Sequence, residues 1–335
     1  MKAPFPWFGG KSRIAAQMWE RFGDVPNYVE PFFGSGAVLL SRPHEPKIET
    51  VNDLDGMVTN FWRATQADPD AVAHHADWPV NENDLHARHA WLVTRKEGLQ
   101  TALEGDPDYY DAKVAGWWLW GICQWIGSGW CSGNGPWQQV DGKLVKTEVG
   151  GVNRKRVHLG DAGMGVNRKR VHLGNAGMGV NRKLDGETCK DWSAHLQAMM
   201  RELRDRLRSV RVCCGDWSRV CGPTPTEKLG LTGVFLDPPY SADRQGDLYV
   251  VDDMDVAHAV RAWALEHGDD PLYRIALCGY DGEHEMPGWE ALAWKASGGY
   301  GSQGEGRGRD NAEREVVWFS PHCLKPDRPI QGSLL

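Results

Sequence analysis

The first sixty residues hold a short strand candidate, a glycine turn, a helix start and a second strand ending in an acid. This succession limits the fold more than any other feature of the chain. Asn27–Glu30 reads as the strand, Gly34, Ser35 and Gly36 as the turn, and Ala37–Leu40 as the opening of the helix. Ile48–Val51 is the next strand, ending at Asn52 and Asp53. Together they make one βαβ unit, whose two strands must lie parallel because a helix intervenes. Gly34 and Gly36 let the backbone turn tightly and approach a ligand with no Cβ in the way. Asp53 lies 17 residues past Gly36, near the spacing at which an acid accepts hydrogen bonds from ribose hydroxyls. Val38 and Leu39 stand where a dinucleotide fingerprint would carry its third glycine, which argues against a nicotinamide cofactor.

The alternation resumes late in the chain. Leu196, Met199, Met200, Leu203, Leu207 and Val210 recur at helical spacing, predicting a helix over 193–209. Strands are predicted at Val210–Cys214, Thr232–Leu236, Arg274–Cys278 and Arg314–Ser320, with a helix over 255–267. Strands alternating with helices imply an α/β, Rossmann-like fold: a mostly parallel sheet with helices on both faces. In such sheets ligands bind beyond the carboxyl ends of the strands, where the strand order reverses. Strands ending at Glu30 and Leu236 would flank that point.

Residues 60–190 break the rhythm and read as an insertion, mainly helix and loop, between segments 1–60 and 190–335 of one catalytic domain. Six tryptophans fall between Trp117 and Trp137, more plausible as the core of a helical subdomain than as base wedges. A 14-residue repeat follows: Gly151–Met164 recurs as Gly165–Met178 and begins again at Gly179. Units so short and glycine-rich cannot build a solenoid core, so they read as loops. The chain carries a net charge of -7, yet 151–184 holds eight basic residues against Asp161 alone. Basicity concentrated on an acidic body suits a nucleic-acid-facing patch, with Arg154, Lys155, Arg156, Arg168, Lys169 and Arg170 as phosphate contacts. Gly298–Arg309 is glycine-rich and reads as a mobile loop.

None of the eight cysteines falls in a paired C-x-x-C spacing, so no metal site is expected and the thiols read as free or buried. Neither a signal peptide nor an apolar run of about 20 residues is evident, which implies a cytoplasmic protein with no membrane partner.

Asp237, Pro238, Pro239 and Tyr240 close the apolar run Gly233–Leu236. Upstream stand Phe8, Gly9, Gly10 and Lys11, then Glu30, Pro31, Phe32, Phe33, Gly34, Ser35 and Gly36. These three motifs, in this order, resemble the DNA adenine methyltransferase (Dam-like) family, in the class that places target recognition between the cofactor motif and the Asp-Pro-Pro-Tyr loop. The resemblance implies S-adenosyl-L-methionine as cofactor and double-stranded DNA as substrate, with no obligate protein partner. It implies cofactor contacts from Trp7, Lys11, Glu30, Phe32, Gly34, Gly36, Asp53, Asp216 and Asp237. Lys11 would meet the cofactor carboxylate or Glu30, and Asp216 the cofactor adenine. Residues 60–190 would be the target-recognition region of a bacterial enzyme, one that a phage or prophage could equally encode.

The tetrapeptide has a chemical rationale. An adenine amino nitrogen is a poor nucleophile because its lone pair is delocalised into the ring. Asp237 can accept one N–H and the Pro238 carbonyl the other, freeing the lone pair. Two prolines stiffen the loop before the base arrives. Tyr240 offers a stacking face of about 1–3 kcal/mol, similar to the few kcal/mol that base flipping costs. The same chemistry would serve the cytosine N4 amine. A related loop with asparagine in the first position serves glutamine methylation, against which the aspartate and the basic insertion count. A catalytically idle DNA-binding module is the remaining alternative.

Overall fold

The computed structural model describes residues 1–7, 10–125, 130–131, 137–140, 143–146, 192–239, 253–294 and 315–326, with the backbone alone at 137–140, 143–146, Trp192 and 253–255. Its centre is a seven-stranded sheet. Strands β1 (Asn27–Glu30) and β2 (Ile48–Asp53) are the pair expected from the amino-terminal unit. A separate hairpin is formed by β3 (Trp137–Val140) and β4 (Lys143–Lys146). The large sheet is completed by β5 (Val210–Cys214), β6 (Thr232–Leu236), β7 (Tyr273–Tyr280), β8 (Glu290–Trp294) and β9 (Glu315–Phe319). Its order is β5-β2-β1-β6-β7-β9-β8. The first five strands in that order pair in parallel, and β9 runs antiparallel to both β7 and β8.

Every residue of β1, β6 and β9 is buried, as expected of strands covered on both faces. Successive side chains enter opposite layers. Tyr28, Phe235, Ala276 and Cys278 join one core, while Val29, Val234, Leu236, Ile275 and Leu277 join the other. The first layer is roofed by α1 (Ala15–Phe22), α2 (Ala37–Leu40), α3 (Gly56–Ala67) and α8 (Trp192–Leu207), the second by α9 (Asp253–His267). Cys213 lies against the second layer and Cys214 in the first, as expected of neighbours on a strand. Of the seven described cysteines, six are buried. This is an α/β, Rossmann-like sheet with helices on both faces.

The insertion grows out of that roof without a break in the core. Helices α4 (Pro69–Ala76), α5 (Glu82–Val93), α6 (Lys96–Gly105) and α7 (Ala112–Gln124) follow α3. Asp55, Asp68, Asn81 and Asp111 cap α3, α4, α5 and α7 through their side chains, satisfying first-turn N–H groups. A boundary at residue 60 falls inside α3. Phe61 and Trp62 of α3, Trp118 of α7 and Phe5 stack edge-on or tilted, with centroids 4.9–6.0 Å apart. Trp118, Trp120 and Trp125 are buried, in keeping with a structural role. Arg88 is buried with its guanidinium over Trp78, Trp117 and Trp120 at 4.5–4.8 Å.

Secondary structure departs from expectation mainly by addition. The periodicity of α8 and α9 is legible, whereas β8 is half-exposed and poor in β-branched residues. Strand β7 is longer than the expected Arg274–Cys278, beginning one residue earlier and ending two residues later. The repeats at 151–183, with Arg154, Lys155, Arg156, Arg168, Lys169 and Arg170, lie outside the described residues, as do Tyr240 and 298–309.

Candidate active site

The strand order reverses between β1 and β6, because the chain proceeds from β1 to β2 on one side and later enters β6 on the other. Two loops leave the carboxyl ends of these strands: 31–36 after β1 and the Asp237 loop after β6. Their strands are direct neighbours, with Asn27 opposite Thr232 and Val29 opposite Val234. The crevice expected from the sequence is therefore bounded by the two motifs named for it.

Backbone geometry shapes the first wall. Gly34 and Gly36 have φ of 47° and 66°, the left-handed region that L side chains seldom adopt. A Cβ on Gly34 would stand 2.4 Å from Nε1 of Trp7, and one on Gly36 would stand 2.8 Å from Phe33. Glycine is thus required twice over, for φ and for space. The loop is tied at three points. Gly34 N–H donates to Asp53 Oδ2 at 2.8 Å, Trp62 Nε1–H donates to the Gly34 carbonyl at 2.9 Å, and Phe33 N–H donates to the Asn52 carbonyl at 2.9 Å.

Asp53 therefore does structural work that spacing alone could not reveal. Its other oxygen accepts the Asp55 N–H at 2.9 Å. Burial pushes its carboxyl pKa up to about 7, against the lowering effect of the Gly34 N–H. The expected ribose contact must share this carboxylate with the loop it anchors. Asp216 is exposed at the end of β5 and caps the short 3₁₀ turn Trp217–Val220 by accepting the Ser218 N–H at 2.9 Å. Beside it Phe32 stacks on Trp217, with centroids 6.4 Å apart and planes at 27°. Phe32, Asp216 and Trp217 thus form one aromatic and acidic corner.

The second wall is made of charge. Lys11, 4% exposed, places Nζ 3.0 Å from Asp237 Oδ1 and 3.5 Å from Glu315 Oε2. Burial opposes its charge, yet the facing Asp237 and Glu315 carboxylates outweigh that and hold its pKa above the ordinary lysine value. The ammonium also lies 5.6 Å from the centre of the Trp294 ring. The Cys278 thiol is hydrogen-bonded to Asp237, and burial pushes its pKa well up. Where a ligand carboxylate or Glu30 was expected beside Lys11, the structure shows Asp237 and Glu315 facing it. Glu30 instead accepts the Tyr28 hydroxyl at 2.9 Å, and burial drives its carboxyl pKa well above the usual range, with Asp237 adding to the effect.

One short segment joins the walls. Trp7 lies against Gly34 and Lys11 against Asp237, and Gly10 N–H donates to the Trp7 carbonyl at 3.2 Å. Trp7 also meets Phe5 and Trp118 at 5.8 and 6.3 Å. After Asp237, Pro238 is buried and Pro239 half-buried. Trp7, Lys11, Glu30, Phe32, Gly34, Gly36, Asp53, Asp216, Asp237 and Pro238 therefore all lie along one edge of the sheet. Glu315, Cys278, Trp62, Trp217 and Trp294 were missed. For Glu315 a signal existed: it is a carboxylate opening the apolar run Val316–Phe319, where only a paired charge is tolerated in burial.

Residues 7–103 match the family model described as D12 class N6 adenine-specific DNA methyltransferase. Two proteins named DNA adenine methylase, from two strains of Vibrio cholerae serotype O1, are each 29% identical over 101 residues. The match covers 30% of this chain and 35% of each relative, so the chain spans about a third of the length of the curated relatives it matches. That segment carries Trp7, Lys11, the glycine loop and Asp53, one wall of the crevice and the lysine that reaches the other. Residues 7–103 are thus similar to the D12 class of N6 adenine-specific DNA methyltransferases.

Proposed function

We propose that the chain transfers a methyl group from S-adenosyl-L-methionine to the exocyclic amino nitrogen of adenine in double-stranded DNA. The observation that carries this reading is the approach of Asp237 to the tied glycine loop across the β1/β6 reversal, bridged by Trp7 and Lys11. Methyl transfer needs donor and acceptor within bonding approach, and a crevice walled by both motifs provides it.

The residues fit the cofactor. Gly34 and Gly36 leave backbone room, Asp53 and Asp216 end successive strands as acids, and Phe32 with Trp217 offers an aromatic corner for a purine. Lys11 is the cation for its carboxylate. When bound there, S-adenosyl-L-methionine would supply an electrophilic methyl on a sulfonium.

The rest is the work of this chain. Asp237 accepts one amino N–H and the Pro238 carbonyl the other, so the nitrogen lone pair leaves conjugation. The prolines hold both acceptors in place before the base arrives. Lys11 Nζ lies 3.0 Å from Asp237 Oδ1 and fixes where that acceptor stands. Tyr240 would stack on the flipped base. Residues 60–190 would read the target, with Arg154, Lys155, Arg156, Arg168, Lys169 and Arg170 on phosphates. No helix of the described residues is long and apolar enough to cross a membrane, in keeping with a DNA-modifying enzyme of the cytoplasm.

The test is nucleoside analysis of DNA treated with the purified chain and S-adenosyl-L-methionine. N6-methyladenine is the expected product. N4-methylcytosine would move the assignment to the cytosine amine, and no methylated nucleoside at all would leave the idle DNA-binding module standing.

A further inference from the structure

Glu315 reaches the crevice on β9, the strand that runs against both of its neighbours. Because β9 runs against β7, its first residue lies beside the last residue of β7, Tyr280, at the edge where Asp237 emerges from β6. On its other side stands Trp294, the last residue of β8. The side chain is 5% exposed and faces the Lys11 ammonium at 3.5 Å, while Asp237 faces the same ammonium at 3.0 Å. One buried cation is shared by two buried or half-buried carboxylates.

Sharing changes what Asp237 can do. Matched one to one, Lys11 would polarise the very oxygens that must accept an amino N–H. With Glu315 taking part of that interaction, Asp237 keeps more of its acceptor strength. The three groups together carry one net negative charge. An amine that becomes cationic as it is methylated is stabilised by such a charge in a site of low dielectric. The Trp294 ring holds the ammonium from a third side, a contact favourable to a cation over an aromatic face.

We propose that Glu315 is a positioning residue for amino-group methylation, dividing Lys11 with Asp237 so that Asp237 remains a strong acceptor. The inference rests on the reading of Asp237 given under Proposed function.

The test compares the full-length wild type with Glu315→Gln and Glu315→Asp, by steady-state methylation kinetics, melting temperature and the ¹⁵N-bound ammonium signal of Lys11. That signal is assigned by its loss in Lys11→Arg. Glu315→Gln should lower kcat roughly tenfold or more, below the 10²–10³ of a group that touches the reacting atoms, and leave KM for DNA within about twofold. Glu315→Asp should recover most of the loss. The Lys11 ammonium, slow to exchange in the wild type, should exchange faster in Glu315→Gln. An unchanged kcat in Glu315→Gln overturns the proposal. So does a loss that tracks a lower melting temperature and is not recovered by Glu315→Asp, since that marks a carboxylate needed only for folding. Should the wild type methylate no DNA, the functional reading fails. The ammonium signal then still decides whether Glu315 holds Lys11.

Discussion

The two walls of the crevice are stabilised by opposite means. The glycine-loop wall is held by backbone: positive φ at Gly34 and Gly36, three hydrogen bonds, and indole rings filling the space that a Cβ would need. The Asp237 wall is held by charge: a buried lysine between two carboxylates and a thiol. The first wall suits a ligand whose shape is fixed and whose binding is wanted in every cycle. The second suits a group whose charge changes during reaction, because preorganised dipoles and charges act on charge development and not on shape. On the proposed function, binding and chemistry would fall to different physical forces on neighbouring strands.

Substitutions can break this division or sharpen it. The largest effect is expected from Asp237→Ala, which removes the amino acceptor and one of the two carboxylates that face Lys11. Methylation should fall by about 10²–10³ or more, with S-adenosyl-L-methionine affinity by calorimetry within a few-fold of wild type. A variant that methylates at the parent rate would remove the charge wall from the chemistry. Gly34→Ala comes next. It puts a Cβ 2.4 Å from the Trp7 ring at φ of 47°, costing about 1–3 kcal/mol. It should lower the melting temperature and weaken cofactor binding at least as much as it lowers kcat. A pure kcat effect would show that the walls are not separable.

The smallest effect is one of pH. Asp53 titrates at about 7 in the folded chain against 3.8 as its reference value. A carboxyl whose folded pKa is raised binds its proton more tightly in the native state. Its contribution is full below about pH 4 and is lost as pH rises to about 7. Asp53→Asn should therefore flatten the decline in melting temperature between pH 4 and 7, after the loss of one anchoring interaction common to all pH values. If the two chains decline in parallel, the buried carboxyl is ionised throughout.

How much of this could be read from residues follows the same division. The glycine-loop wall was legible because its constraints are local. Gly34, Gly36 and Asp53 declare themselves by spacing, and β6 by the apolar run Gly233–Leu236. Trp62, which bonds the Gly34 carbonyl from α3, was not legible, because its partner is 28 residues away and no periodicity links them. The charge wall was legible only in Asp237 and Lys11. Their mutual contact was missed because it joins residues 11 and 237, and Glu315 was missed because β9 enters the crevice by its amino end. A search for acids at carboxyl ends of strands passes over it. Strand β8 escaped for a related reason: at the sheet edge its burial is partial, and its alternation is too weak to stand out.

The continuous aromatic core from Phe5 through Trp62 to Trp118 has an engineering corollary. Helices α3 to α7 cannot be lifted out as a cassette, since the same rings that centre them also seat the amino-terminal strap over the glycine loop.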